Sequence, residues 1–355
     1  MDFDLTKEQA MIKKEVRHFA QQEIAPRAGE MERTGEYPYD IMEKMAKLGL
    51  MGIPFPEING GTGGDWVSMH LCIEEISRYD SGLGALLDVT TSVVGQEIAV
   101  FGSDEQKRKW LVPIAQGEKI GAFGLTEPDS GSDAAALQTT AELENDEWVL
   151  NGTKQFISCI GLNNASMVIV AARVKGGDSN DTIATFIVPK DSPGFSLGHK
   201  YKKMAWNSFA THEVVMSDCK VPKENLLGDP KRGFAQHLAV LETGRISVAA
   251  VAVGVAQSCF DEALKYAQQR KQFGRPICDF QAIQFKLADM AVSIELARNL
   301  YLKAAWLKDK GRQHSFEASA AKLYATEMAE KVASDALQIH GGNGLMEDYP
   351  ISRYY

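Results

Sequence analysis

Cysteine pairs, basic charge and long apolar runs are all scarce in this sequence, and each scarcity excludes something. The five cysteines, Cys72, Cys159, Cys219, Cys259 and Cys278, stand singly with no C-x-x-C pair. That pattern supplies neither a disulfide framework nor a zinc site, so no metal is expected and a cytoplasmic setting is. Lysine and arginine number 38 against 47 acidic residues, a net charge of −9; a nucleic-acid binder would display a basic face. The one compact basic cluster, Lys200, Lys202 and Lys203, reads as a solvated turn or as the contact for an anionic ligand. The most apolar helical segment, Ile246–Ala256, is too short to span a bilayer. The opening Met1–Gln9 is acidic and polar, unlike a signal peptide. Gly60–Gly64 has no strand before it and no G-K-[ST] after it, so it reads as a flexible connection and not a phosphate loop. No internal repeat is present.

What remains is an ordinary globular composition, 45% hydrophobic and 24% charged. With 355 residues the chain can bury roughly 75% of its unfolded surface, in two or three domains. The hydrophobic period divides it. From Leu5 to about Gly117 the period is helical, with capping boxes at Thr6/Gln9 and Ser103/Gln106 and stops at Gly29, Gly49 and Gly117. From about Lys119 to Pro222 the period is two. Glu147–Leu150 and Thr153–Ile157 flank Asn151-Gly152, a hairpin-turn signal, and Ser166–Val174, Thr182–Val188 and His212–Met216 follow. From Gly233 onward long helical stretches return, at Arg245–Arg270, Phe280–Lys310 and Phe316–His340, punctuated by Gly311 and Gly341. The expected fold is α+β: an all-helical N-terminal domain over 1–117, an antiparallel β-barrel over 118–228, and a four-helix bundle over 229–355.

Four segments carry chemistry. The loop Phe123–Asp133 combines glycines with small hydroxyl residues, which leave backbone N–H groups free for a pyrophosphate or a ring edge. Phe156-Ile157-Ser158 offers an aromatic ring and a hydroxyl to a flat cofactor. The third segment is Arg270 to Pro276, and the fourth Gln338 to Gly344. The first two alone have plain structural readings, as a turn and as a buried strand residue beside a surface serine.

Together, with Leu48–Gly52 and Gln284–Met290, these segments resemble the acyl-CoA dehydrogenase family, nearest its short-chain (butyryl-CoA) branch. The resemblance implies FAD as cofactor, an acyl-CoA substrate, an electron-transferring flavoprotein as acceptor, and a homotetramer. It assigns Phe123, Leu125, Thr126, Gly131 and Ser132 to the flavin and pyrophosphate, with Ser132 also near substrate. Phe156, Ile157 and Ser158 would pack on the flavin ring; the family usually has Trp at Phe156 and Thr at Ser158. Cys159 and Ile160 replace the usual Asn and Gly, an altered surface beside the flavin. Arg270, Phe273, Gln281, Gln338, Gly341 and Gly342 would hold the ADP half across a subunit boundary. Glu242 and Arg245 would meet the acyl-CoA. The implied reaction removes an α-proton by a carboxylate while a hydride leaves the β-carbon for the flavin.

The family pattern breaks at that carboxylate. The usual glutamate lies in a Y-E-G-T segment after an R-D pair, and the sequence stops at Ser352-Arg353-Tyr354-Tyr355 before it. A minority of the family places its glutamate just before the bundle arginine, where this chain has Gly244. Either the last part of the bundle is missing and carries the base, or another carboxylate serves. Asp88 is the candidate, in place of a small neutral residue on the helix that borders the acyl pocket; its plain reading is a solvated or capping aspartate. Thr91, Ser92, Gln96 and Glu97 would line a polar pocket wall around it, and burial would raise its basicity. Such a base suits a short or cyclic substrate of the cyclohexene-carbonyl type. The alternatives are a short-chain or branched acyl-CoA dehydrogenase with its glutamate in the missing segment, an acyl-CoA oxidase, a catalytically silent paralogue, and a helical scaffold without ligand.

Overall fold

The structure is a computed structural model that describes residues 4–175 and 182–355. The principal helices are α1 (Lys7–Phe19), α2 (Trp66–Ser77), α3 (Ser81–Phe101), α4 (Gly233–Gln269), α5 (Gln281–Asp309) and α6 (Ser315–His340). The strands are β1 (Ile120–Gly124), β2 (Thr140–Glu144), β3 (Glu147–Ser158), β4 (Ala165–Val174), β5 (Ile183–Pro189), β6 (Phe195–Lys200), β7 (Thr211–Pro222) and β8 (Leu226–Leu227). Helices, then strands, then long helices therefore follow along the chain. In space it divides into two compact units: Met1–Arg33, Asp65–Ala85 and Arg245–Tyr355 in one, Thr34–Gly64 and Leu86–Gly244 in the other.

The first unit is a helical bundle. Both expected capping boxes form, Thr6 with Gln9 here and Ser103 with Gln106 in the second unit. Asp65 caps α2 through the Ser68 N–H, and Asp309 at the end of α5 accepts the next two orphan N–H groups, Trp66 and Val67, at 2.8 and 3.2 Å. Helix α4 crosses α2 at Gly254, where a Cβ would stand 2.4 Å from the Glu74 carbonyl. Glu74 and Glu75 are wholly buried, against Arg298 and Tyr301 for the one and Arg17 for the other. Burial pushes Glu74 up, but the Arg298 charge, with Lys13 behind it, holds it below the ordinary carboxylate range.

The second unit is built on one eight-stranded sheet in the order β6-β7-β3-β2-β4-β5-β8, with β1 also on β4. Its apolar side carries Phe55, Val94, Ile98, Leu111, Met167, Ile169 and Ile187. Two expectations need correcting. The sheet is mixed and not wholly antiparallel, because β1–β4 and β2–β4 run parallel. Turn signals see only neighbours in sequence, and these partners are far apart. Asn151-Gly152 is no hairpin turn: β3 runs through it, with a register shift between Leu150 and Gly152. A Cβ on Gly152 would lie 2.3 Å from Thr139 Oγ1, so the glycine answers a close approach. The turn falls at Asn145-Asp146, both with positive φ (46° and 66°) between β2 and β3.

Helix boundaries differ in two more places, at Gly29 and at the start of α4. Gly29 lies inside the helix Ala28–Thr34 and does not end one, whereas Gly49, Gly117, Gly311 and Gly341 have the expected positive φ. The Gly60–Gly64 connection is held by backbone hydrogen bonds from Thr62, Gly63 and Gly64, and Gly61 packs on the Phe55 carbonyl. Ile246–Ala256 belongs to α4, which begins twelve residues earlier than expected. Both α3 and α4 are long and apolar enough to cross a membrane, and most of each apolar stretch is buried within the protein.

Candidate functional site

The glycine- and hydroxyl-rich loop leaves β1 at Gly124 and is pinned at both ends. Thr126 O accepts the Gln155 N–H (2.8 Å), and Glu127 and Ser130 exchange backbone hydrogen bonds. The Glu127 carboxylate then gathers the N–H of Gln138 and of Thr139 and the ammonium of Lys154, the last at 2.7 Å. Lys154 also donates to Leu125 O at 3.2 Å. Burial would push Glu127 up, but the Lys154 charge and these hydrogen bonds hold it below the ordinary carboxylate range. Between the pinned ends Gly131 and Ser132 are exposed, and a Cβ on Gly131 would meet nothing within 4 Å. The loop presents open backbone, as a pyrophosphate requires. Sequence reasoning passed over Glu127 and Lys154; the only signal was a glutamate inside the loop and a lysine after Asn151-Gly152.

Next to this loop on the sheet, β3 ends in the expected aromatic–hydroxyl segment. Phe156 is 57% exposed with φ +61°, and its ring stands 4.8 Å from that of Tyr201. Cys159 also has positive φ, +70°. Positive φ at non-glycine residues stores strain and concentrates at ligand sites. Ser158 Oγ lies 3.4 Å from Thr211 Oγ1. The Ile157 side chain is buried in the sheet interior, which leaves only its backbone to face a ligand. An exposed ring with a hydroxyl two residues further on fits the edge of a flat, polar ring system.

In the helical unit, Arg270, Gly341 and Gly342 line one cleft of about 400 Å³ with Tyr266, Gln272 and His340. Tyr266 stacks on His340 at 4.4 Å and accepts from Asn343, which fixes the cleft floor. The end of α6 reaches the cleft because Gly341 turns the chain with φ +58°. Phe273 is almost fully exposed at the tip of the Lys271–Pro276 hairpin, 6.0 Å from Phe280. Gln281 opens α5 and Gln338 closes α6, both exposed. A guanidinium beside two bare glycines is a fit for a nucleotide diphosphate.

Asp88 is 5% exposed and begins a π-helical stretch, Asp88–Gly95, in the middle of α3. Wide turns of this kind recur at functional sites. A Cβ on Gly244 would stand 3.9 Å from Asp88 Oδ1 and 3.2 Å from Val93. The expected pocket wall is only partly there: Thr91 donates to Met51 O, and Glu97 turns to His237, 2.6 Å away. Glu242 and Arg245, on either side of Gly244's turn of α4, are half-buried.

A cleft of about 530 Å³ in the sheet-containing unit is lined by Arg173, Lys231, Arg232 and Phe234. Of the basic turn named above, Lys203 is engaged locally, donating to Phe209 O and lying 3.8 Å over that ring. Among the described residues no cluster of three or more His, Cys, Asp or Glu has metal-holding geometry.

Three family models match, described as the acyl-CoA dehydrogenase N-terminal domain (residues 6–118), middle domain (122–219) and C-terminal domain (231–355). A relative from Bacillus subtilis, named probable acyl-CoA dehydrogenase YngJ, is 48% identical over 99% of this chain and 93% of its own. The solved butyryl-CoA dehydrogenase from Megasphaera elsdenii superposes with TM-score 0.96 at 42% identity, covering 100% of this chain and 93% of that one. A chain in the structure described as electron transferring flavoprotein of Acidaminococcus fermentans matches at TM-score 0.96 and 44% identity, with the same coverage.

Proposed function

The chain belongs to the acyl-CoA dehydrogenase family, and from that premise we propose that it is a short-chain-type enzyme whose base is Asp88 and whose substrate is cyclic or already unsaturated. As a member of the short-chain, butyryl-CoA type it is an FAD-dependent oxidoreductase. Bound FAD supplies the hydride acceptor. The loop from Phe123 to Ser132 and the Phe156–Ser158 segment would hold its flavin and pyrophosphate, and Arg270 with Gly341 and Gly342 would hold the ADP half of a neighbouring subunit's FAD. The cationic cleft of Arg173, Lys231 and Arg232 suits the phosphates of the CoA thioester.

One observation carries the assignment of the base. The position where part of the family keeps its glutamate is Gly244 here, and a buried carboxylate, Asp88, faces the space a side chain there would enter. Asp88 approaches from a different helix, so it favours a proton further along the acyl group than the α-proton. A conjugated or ring-bearing thioester, such as a cyclohexene-carbonyl CoA, offers an acidic C–H at that distance. The side chain must accept that proton in a water-poor setting, which its near-complete burial provides. Asp88→Asn keeps the shape and removes the base. Flavin bleaching by the best substrate of an anaerobic panel of cyclic, straight-chain and branched CoA esters should slow at least about a hundred-fold. Persistence above about a tenth of the wild-type rate returns the role to another carboxylate.

An electron-transferring flavoprotein is proposed as acceptor, supported by the match to a chain in the Acidaminococcus structure. A homotetramer is proposed on the exposed apolar stripe of α5, Phe285, Val292 and Leu296. The division at 117/118 and 228/229 is retained as the functional domain boundary, and a cytoplasmic location rests on the five unpaired cysteines.

A further inference from the structure

Glu97 and His237 are both completely buried, and His237 Nδ1 lies 2.6 Å from Glu97 Oε1. Thr185 Oγ1 is 3.3 Å from the same nitrogen and donates to Gly233 O. The Phe123 ring stacks on the imidazole at 4.4 Å. Glu97 Oε2 and His237 Nε2 have no hydrogen-bond partner among the described residues. A half-satisfied buried pair costs stability, and apolar residues of the same volume would usually serve the fold as well or better. The pair therefore needs another reason, and its place in the fold supplies one.

Two contacts between α3 and α4 bear on Asp88. Glu97 of α3 holds His237 of α4, and Asp88 and Val93 of α3 face Gly244 of α4. The residue order is reversed between the helices, so the segments run antiparallel. His237 and Gly244 are seven residues apart, two turns of α4 and so on one face, about 10 Å along the axis. Gly244 has no side chain, so α3 comes close to the α4 backbone at that level and no side chain of residue 244 interlocks with α3 there. Between the two points α3 is π-helical, Asp88–Gly95, a rare winding, and Glu97 is the second residue after it ends. A directional side-chain hydrogen bond there stands where the wide turns stop, in a position to set which way Asp88 faces.

We propose that Glu97 and His237 are positioning residues: their bond clamps α3 to α4 and sets the placement of the Asp88 carboxylate opposite Gly244. The inference rests on Asp88 being the base. Neither member touches substrate; both act through the register of α3.

The test is the double variant Glu97→Leu/His237→Leu, with Glu97→Gln as the conservative partner, each made in the wild-type and the Asp88→Asn background. The apolar pair should fold, with a melting temperature at or above that of the wild type and normal FAD content. Flavin reduction by the best acyl-CoA should nevertheless slow by about ten-fold or more, because small misplacements of a reacting group are costly. The acyl-CoA dissociation constant should stay within about two-fold, and amide hydrogen exchange over residues 88–95 should rise. Glu97→Gln, which still accepts from Nδ1–H, should recover most of the rate. In the Asp88→Asn background the apolar pair should add no further loss. A wild-type rate in the apolar pair overturns the clamp, as does an equal loss in both backgrounds. A mild effect of Asp88→Asn by itself removes the base reading instead, so the two failures are told apart.

Discussion

Lys154 illustrates what a single residue does for the site without touching a ligand by itself. It is wholly buried, and burial lowers its pKa to about 8 even with Glu127 against it. The gain is on the carboxylate side: Glu127 stays ionised and ties Gln138, Thr139 and the lysine to the start of the loop. Removing one partner of a buried pair strands the other, typically at about 3–5 kcal/mol. Lys154→Met should therefore lower stability by about 3 kcal/mol and reduce the flavin-to-protein ratio after gel filtration, while Lys154→Met/Glu127→Gln recovers much of both. The pH sign follows from Glu127, whose folded pKa lies below its unfolded value. Its contribution is full above the ordinary carboxylate range, about pH 4.3, and is lost as pH falls through the lowered value. The gap between wild type and Lys154→Met should thus be constant from pH 6 to 7 and close only in acid, to within about a unit of that range. Motif recognition found the loop, yet not this pair, because an ion pair 27 positions apart leaves no periodic trace.

At the scale of elements, α3 carries most of the unusual features. It opens on Asp80, whose buried carboxylate accepts the Leu83 N–H at 2.8 Å. Burial raises this group to about 6, despite that hydrogen bond and the nearby Arg353. A carboxyl with a raised folded pKa penalises the fold when ionised, fully above pH 6 and not at all below the unfolded value near 4. Asp80→Asn keeps the N-terminal acceptor and drops the charge. After allowing for the lost charge–dipole attraction, it should gain about 1–2 kcal/mol at pH 8 and nothing at pH 4, by thermal melts at the two pH values. The π stretch after it was invisible in composition, since Asp88–Gly95 has no residue that demands five-residue hydrogen bonding. In the sheet, Asn151-Gly152 carried the stronger turn signal and Asn145-Asp146 made the turn. Both pairs tolerate positive φ, so the choice fell to the pairing of β3 with β7, which extends through the glycine.

At the scale of the whole molecule, five of the exposed apolar residues fall into stripes on two helices. Phe285, Val292 and Leu296 fall at i, i+7 and i+11 on α5, and Phe316 and Leu323 seven apart on α6, all more than half exposed. Stripes of that spacing are the pattern of helices that pack against other helices. Closed symmetric assembly is the common outcome. Light scattering should return a tetramer mass, and Val292→Arg/Leu296→Arg should lower it. If Arg270 and Phe273 serve a neighbouring subunit, the same variant should lose FAD on dilution; a monomeric wild type that keeps its flavin overturns the assembly.

By itself the sequence determined the succession of helical, strand and helical regions, both capping boxes and the family, and it singled out the four segments proposed here to hold the cofactor. All of these are written in residues close together along the chain: a period of 3.6 or 2, a cap three residues from its partner, a loop of contiguous small residues. Only the tertiary structure decided that β1 and β2 run parallel to β4, that Glu127 meets Lys154, that His237 meets Glu97 across 140 residues, and that Asp88 faces Gly244. Such pairings depend on the path of the chain between the partners. Local propensity and spacing do not encode that path, because burial and packing select it only once the elements have formed.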